Sequence, residues 1–229
     1  AKKIYAEQEK PLEAYCKPLA DVGTTPHFLW FKSCRQNRLD YMGKLPGKVV
    51  PFKYSDPTLN WSYSEEQAAF NAEWVSRGNG YTAAARNFLT PSYLDFIIYY
   101  YAKEIKKGLT GVYFDDMFPM TARNPDICCQ VDDEGRSHGN FGLLEMRELG
   151  KRVAVVQHLA GCCPRLMQVH MTNCLLVPCF AFATSQLSWE DHFGETEFQT
   201  RFKDDYVRAE SMGGQIGAEA VALDGIKPK

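Results

Sequence analysis

The sequence predicts an α/β chain folded as a (β/α)-barrel of TIM type, incomplete at about six strands, with a long irregular insertion near residues 21–81. Three observations predict it. Short apolar runs alternate with single amphipathic helices, the pattern of βα units around a parallel sheet, and right-handed crossovers wrap such units into a barrel or a doubly wound sheet. The 229 residues are 45% hydrophobic, enough to bury roughly 70% of the unfolded surface in one domain. Eight βα units typically take about 250 residues, so a chain of this length with such an insertion holds fewer. Residues 1–229 are therefore taken as one partial barrel of catalytic type, without a firm internal boundary.

The elements follow in order. The opening "KKIYAEQEKP" reads as the tail of a helix and "LEAYCKPL" as its strand, so the chain begins part-way round a barrel whose earlier part, in the same protein, lies upstream. Thr90 caps a helix with Pro91 in its first turn, and Leu94, Ile97, Ile98, Tyr101, Ala102 and Ile105 make its apolar stripe. "GVYFD" is a buried strand. A polar loop over 118–140 precedes a second helix over 143–160, with Met146, Leu149, Val153, Val156 and Ala160 on one face and Gly161 at its end. "RLMQVHMT" is a strand to His170, "CFAFAT" another to Thr184, "ETEFQTRFKDDYVRAESM" a helix and "QIGAEAVAL" a last strand.

Composition excludes several classes. Lys plus Arg number 26 against 28 Asp plus Glu, with no basic block, so a nucleic-acid partner is not expected. The longest apolar run, "CLLVPCFAFAT", is broken by Pro178 and falls short of the ~20 residues that cross a bilayer. The eight cysteines include no C-x-x-C pair, which argues against a zinc ribbon. The 124–139 loop gathers Cys128, Cys129, Asp132, Asp133, Glu134 and His138, but its spacing fits neither a thiolate site nor a calcium loop. It reads as a solvated acidic turn, and neither metal nor cofactor is expected.

Functional groups of parallel α/β folds collect at the carboxyl ends of strands. "GVYFDD" puts Asp115 and Asp116 at such an end, with Tyr113 in the strand before them. Successive strand residues point to opposite faces, so both acids serve only if the strand is ending; otherwise one caps a turn or pairs with an arginine such as Arg123. His170 closes a later strand, and "SWEDHFGETE" brings Trp189, Glu190 and Glu195 after the next. These types suit sugar chemistry: one acid protonates a leaving oxygen, a second carboxylate stabilises an oxocarbenium-like centre, and an aromatic ring such as Trp189 or Trp30 packs on the sugar. The bland readings are a structural His170, a first-turn acid at Glu195, and Trp30, Trp61 and Trp74 as a small core of the insertion.

"YLDFIIYYYAKEI", "GVYFDDMFP", "VDDEG", "MRELGKRV", the His170 strand end, "FGETE", "DDY" and "RAE...GGQIG" occur in an order that resembles bacterial glycoside-hydrolase-like proteins related to glycoside hydrolase family 123, over about residues 85–220. The resemblance implies a (β/α)-barrel catalytic domain acting on carbohydrate in a secreted or periplasmic setting, with this chain as its C-terminal part. Family 123 enzymes resemble N-acetylgalactosaminidases with an adjacent Asp-Glu pair and an attacking substrate acetamido group. By that likeness Asp115 orients and Asp116 protonates. Asp116 stands where the pair has Glu and is one methylene shorter, so a plain retaining or inverting mechanism, with either Asp facing Glu195, stays open. A non-catalytic carbohydrate-binding or structural barrel is the alternative.

Overall fold

The computed structural model describes residues 27–31, 49–61, 65–76, 84–117, 119, 121–122, 130–170, 176–188, 200, 202–210 and 217–222. Six strands form one parallel sheet, β1 (His27–Phe31), β2 (Val49–Ser55), β5 (Gly111–Phe114), β8 (Leu166–His170), β9 (Ser185–Ser188) and β10 (Glu219–Ala222), side by side in sequence order. That order carries the architecture. Right-handed crossovers that always step the same way put every helix on one face and leave the other as a barrel interior, whereas a doubly wound sheet reverses its order.

Two small antiparallel pairs decorate the sheet: β3 (Leu59–Trp61) with β4 (Ala84–Arg86), and β6 (Gln130–Val131) with β7 (Ser137–His138). The helices are α1 (Glu65–Trp74), α2 (Pro91–Lys106), α3 (Leu143–Leu159), α4 (Val177–Phe180) and α5 (Asp204–Glu210). Both long helices lie where the apolar period placed them. Thr90 caps α2, its hydroxyl accepting from the Tyr93 amide at 3.4 Å. Removing that acceptor in Thr90→Ala is expected to cost about 1 kcal/mol of stability, seen as a lower denaturant midpoint with an unchanged slope. At the end of α3, Gly161 takes φ +71°, where a side chain would be strained.

Strand alternation divides the side chains cleanly. Val112, Phe114, Met167 and Val169 face the helices and join Tyr93, Leu94, Tyr101, Met146, Leu149 and Val153 in the main core. Tyr113 and Leu187, with Tyr54 and Leu166 packed on them, form a second cluster on the interior face. The buried Gln157 of α3 ties the layers together, its amide donating to the Tyr101 hydroxyl at 2.9 Å and the Leu166 carbonyl at 2.8 Å.

Three expectations need correction. The 21–81 stretch is not one irregular insertion: it holds β1 and β2 of the main sheet, besides β3 and α1. Its Trp74 is 1% exposed and belongs to the main core, against α2, so it neither nucleates a core of its own nor offers a sugar platform. "CFAFAT" is not a strand. Pro178 sits in the first turn of the short helix α4, Phe180 is buried within it, and the strand follows at Ser185–Ser188. The last helix is described only over Asp204–Glu210, with Phe202 in a bend before it. The early "LEAYCKPL" strand lies outside the described residues.

Candidate active site

β2 and β5 pair in parallel with Tyr54 opposite Tyr113 and Ser55 opposite Phe114, and the Asp115 amide extends the ladder to the Ser55 carbonyl at 2.8 Å. Period-two alternation then sets Tyr54 and Asp56 of the β2 end on the same face as Tyr113 and Asp115. On the other side Tyr113 lies opposite Gln168, which brings in His170 two residues on. Three neighbouring strands thus deliver Asp56, Asp115 and His170 to one carboxyl-terminal rim.

The strand stops at Phe114, and this lets the doublet splay. Asp116 takes φ +53°, a left-handed conformation uncommon outside glycine, and the Met117 amide crosses to the His170 carbonyl at 3.1 Å. Asp115 turns inward. Its Oδ1 lies 2.8 Å from His170 Nδ1 and 3.5 Å from the Tyr113 hydroxyl, and its Oδ2 accepts from the Tyr54 hydroxyl. The Tyr54 and Tyr113 rings stack at 5.3 Å, and the Tyr113 hydroxyl lies 2.9 Å from His170 Nδ1.

Asp116 turns the other way. Arg86, at the end of β4, places Nη2 3.1 Å from its Oδ2, while Nη1 lies 2.9 Å from Asp56 Oδ2 and 2.8 Å from the Thr58 hydroxyl. Asp56 Oδ1 accepts from the Thr58 amide at 2.9 Å.

The protonation states follow from these contacts. Burial pushes the Asp115 carboxyl up, but the hydrogen bonds from His170 and Tyr54 outweigh it and hold the group below its ordinary value, so Asp115 is a carboxylate. An ionised carboxylate only accepts, so His170 carries its proton on Nδ1 toward Asp115. Burial, then the bond to Asp115 and the charges of Asp115, Asp56 and Asp116, keeps the Tyr54 hydroxyl above its usual range and therefore a donor. Burial likewise lifts Asp56 to about 6, against the Arg86 charge and the Thr58 bonds that lower it.

The stability carried by Asp115 is present above the unfolded carboxylate pKa and is lost as pH falls through the lower folded value. Tyr54→Phe removes one donor to the ionised form, so the Asp115 titration and its share of acid unfolding are expected at higher pH than in the wild type. Carboxyl carbon shifts in an NMR titration read this directly; an unmoved Asp115 midpoint would remove Tyr54 from the set.

Of the residues singled out in the sequence, Asp115, Tyr113 and His170 meet in one hydrogen-bonded group, with Asp116 beside it. Trp30 lies in β1, with its side chain outside the described part, and Trp189, Glu190 and Glu195 fall outside the described residues. Tyr54, Asp56 and Arg86 were missed. A signal existed for two of them: Tyr54-Ser55-Asp56 and Tyr113-Phe114-Asp115 are the same Tyr-x-Asp step, each closing a strand, and they stand in register.

In the acidic hairpin, Asp132 is occupied by the Arg136 amide at 2.7 Å and by His138 Nε2 at 2.8 Å, as suits a solvated turn. A cavity of about 370 Å³, bounded by Gln157, Arg165, Phe182, Thr184 and Gly217 among others, opens at the amino ends of β8–β10, the far rim from this site. Among the described residues no helix is long and apolar enough to cross a membrane.

No protein-family model and no curated protein sequence matches the chain. Solved structures do. The glycoside hydrolase domain of PelA from Pseudomonas aeruginosa aligns with a TM-score of 0.54 at 13% identity, over 87% of this chain and 83% of its own. Ega3 of Aspergillus fumigatus, in complex with galactosamine, aligns with a TM-score of 0.52 at 11% identity, over 89% and 77%. A family GH13_31 enzyme aligns with a TM-score of 0.56 at 9% identity, over 92% of this chain and 53% of its own. The chain is thus an α/β fold of the (β/α)-barrel kind found in glycoside hydrolases. At these identities the likeness is one of fold and does not single out family 123.

Proposed function

We propose that this chain hydrolyses O-glycosidic bonds of a carbohydrate substrate, with Asp115 as the charged group at the reacting centre. One observation carries the reading: a partly buried carboxylate at the carboxyl end of a central strand, kept ionised by Tyr54 and His170. Positive charge develops at the anomeric carbon as a glycosidic bond breaks, and a carboxylate held in place, partly shielded from water, stabilises that charge or attacks the carbon. The fold shared with glycoside hydrolases supports the same reading.

The leaving oxygen needs a proton, and Glu195 is the proposed donor, with Asp116 beside the reacting centre but engaged by Arg86. His170, Tyr113, Trp30, Trp189 and Glu190 are proposed to hold the sugar. The finer reading is a glycan containing N-acetylhexosamine, with Asp115 orienting the substrate's acetamido group, met in a secreted or periplasmic setting. The galactosamine bound to Ega3 makes hexosamines, acetylated or not, the first sugars to try.

The Arg86–Asp116 ion pair favours a second reading, in which the rim binds glycan without cleaving it, because an acid engaged by a guanidinium is not free to deliver a proton. A panel of aryl glycosides, with hexosaminides both N-acetylated and free, separates the two. Release of the aryl group by the wild type supports hydrolysis. Saturable glycan binding with no turnover on any of them would replace it with the binding role.

A further inference from the structure

We propose that Arg86 is the positioning residue of the acid turn: one guanidinium, bonded at once to Asp56 at the end of β2 and to Asp116 after β5, holds the doublet splayed so that Asp115 faces Tyr54 and His170. This rests on the hydrolytic reading and adds to it the group that sets the geometry of its carboxylate.

The arm that presents Arg86 is held by main chain on both sides. Arg86 pairs with Leu59 across β3 and β4, its carbonyl accepts from the Ser76 amide at 3.0 Å, and the next amide, Asn87, donates to the Thr58 carbonyl at 2.7 Å. The Asn87 side chain is fixed in turn by a reciprocal amide pair with the fully buried Gln67 of α1, at 2.7 and 3.0 Å. The guanidinium therefore arrives at the rim from a preset place, on a segment that belongs to neither β2 nor β5.

The sheet fixes the two amides that frame the doublet, Asp115 on the Ser55 carbonyl and Met117 on the His170 carbonyl, and leaves the splay of the acid side chains to Arg86. Asp116 sits at φ +53°, a backbone state that persists in a non-glycine residue when its surroundings determine it. Asp56, Asp115 and Asp116 all act on the Tyr54 hydroxyl, so three carboxylates crowd one place and repel one another. Arg86 separates two of them with distinct nitrogens, Nη1 toward Asp56 and Nη2 toward Asp116. A planar fork with fixed donors can span both acids; a lysine ammonium, a single point charge, cannot keep that spacing.

The role predicts a particular defect. Without Arg86 the sugar still reaches the rim, but Asp115 is no longer aimed, and a misplacement of about 1 Å can cost about 100-fold in rate. In Arg86→Ala, kcat on a responsive aryl glycoside is expected to fall about 100-fold while KM stays within about threefold. Guanidinium at low millimolar concentration should recover tenfold or more, and Arg86→Lys should remain impaired. A kcat within threefold of wild type, or full activity in Arg86→Lys, overturns the proposal.

A second measurement does not depend on turnover. Arg86→Ala, Asp116→Asn and the double variant form a cycle in unfolding equilibrium constants. Coupling of tenfold or more is expected, and strict additivity overturns the clamp whether or not any glycoside is cleaved. If Arg86→Ala does not fold, the same cycle is run with Arg86→Lys. A wild type that cleaves nothing, together with strong coupling, defeats the hydrolytic reading and leaves the clamp standing.

Discussion

Asp115→Asn is expected to lower kcat on a responsive aryl glycoside by about 1,000-fold or more, with little change in folding. The substitution keeps the shape and one of the two acceptor oxygens, so the His170 Nδ1 proton can keep its partner while the Tyr54 hydroxyl turns to accept from the new amide. It removes the charge. In a site where two donors already outweigh the cost of burial to keep that carboxyl ionised, the lost interaction is with the positive charge that appears in the transition state, not with the resting sugar. The loss therefore falls on kcat more than on KM. Turnover on the same glycoside, with thermal unfolding of both proteins, checks this; activity within tenfold of wild type would take Asp115 out of the reacting centre.

Trp74→Ala carries the largest expected cost in stability, about 3–5 kcal/mol, the range for truncating a buried tryptophan. The ring is 1% exposed, stacks on Phe70 at 4.9 Å, tilts against Tyr93 and Phe96, and donates its N–H to the Ser92 hydroxyl at 2.8 Å. It fastens α1 to the first turn of α2. For a domain of this size the loss corresponds to roughly 10 °C in Tm, and Trp74→Phe, which keeps most of the ring volume, should cost less than half as much. A shift under about 2 °C for Trp74→Ala would mean that the α1 segment docks through other contacts.

Much of this fold could be read in advance where one physical rule acted alone. A helix with an apolar stripe, a capping Thr90 and a closing glycine has one solution, and α2 and α3 lie where those residues put them. The acid doublet at a strand end and its closeness to His170 were legible for the same kind of reason, since parallel strands put their carboxyl ends on one rim. The misreadings arose where two rules competed. "CFAFAT" is apolar enough for a strand, but Pro178 favours a helical first turn, while the strand that follows, "SQLS", is polar and has no hydrophobic signature. Tyr54 and Asp56 stay hidden because the sequence around β2 reads as an irregular stretch. Arg86 could not have been found at all: its partners are 30 residues away on either side, and no local period encodes such a meeting.

The two amides that frame the doublet are hydrogen-bonded into the sheet, Asp115 to the Ser55 carbonyl and Met117 to the His170 carbonyl. Ordinary loop breathing cannot carry such a turn away, because its escape requires the ends of three strands to fray together. The acids thus share the cooperative fate of the framework, and partial unfolding elsewhere on the surface should leave their arrangement whole.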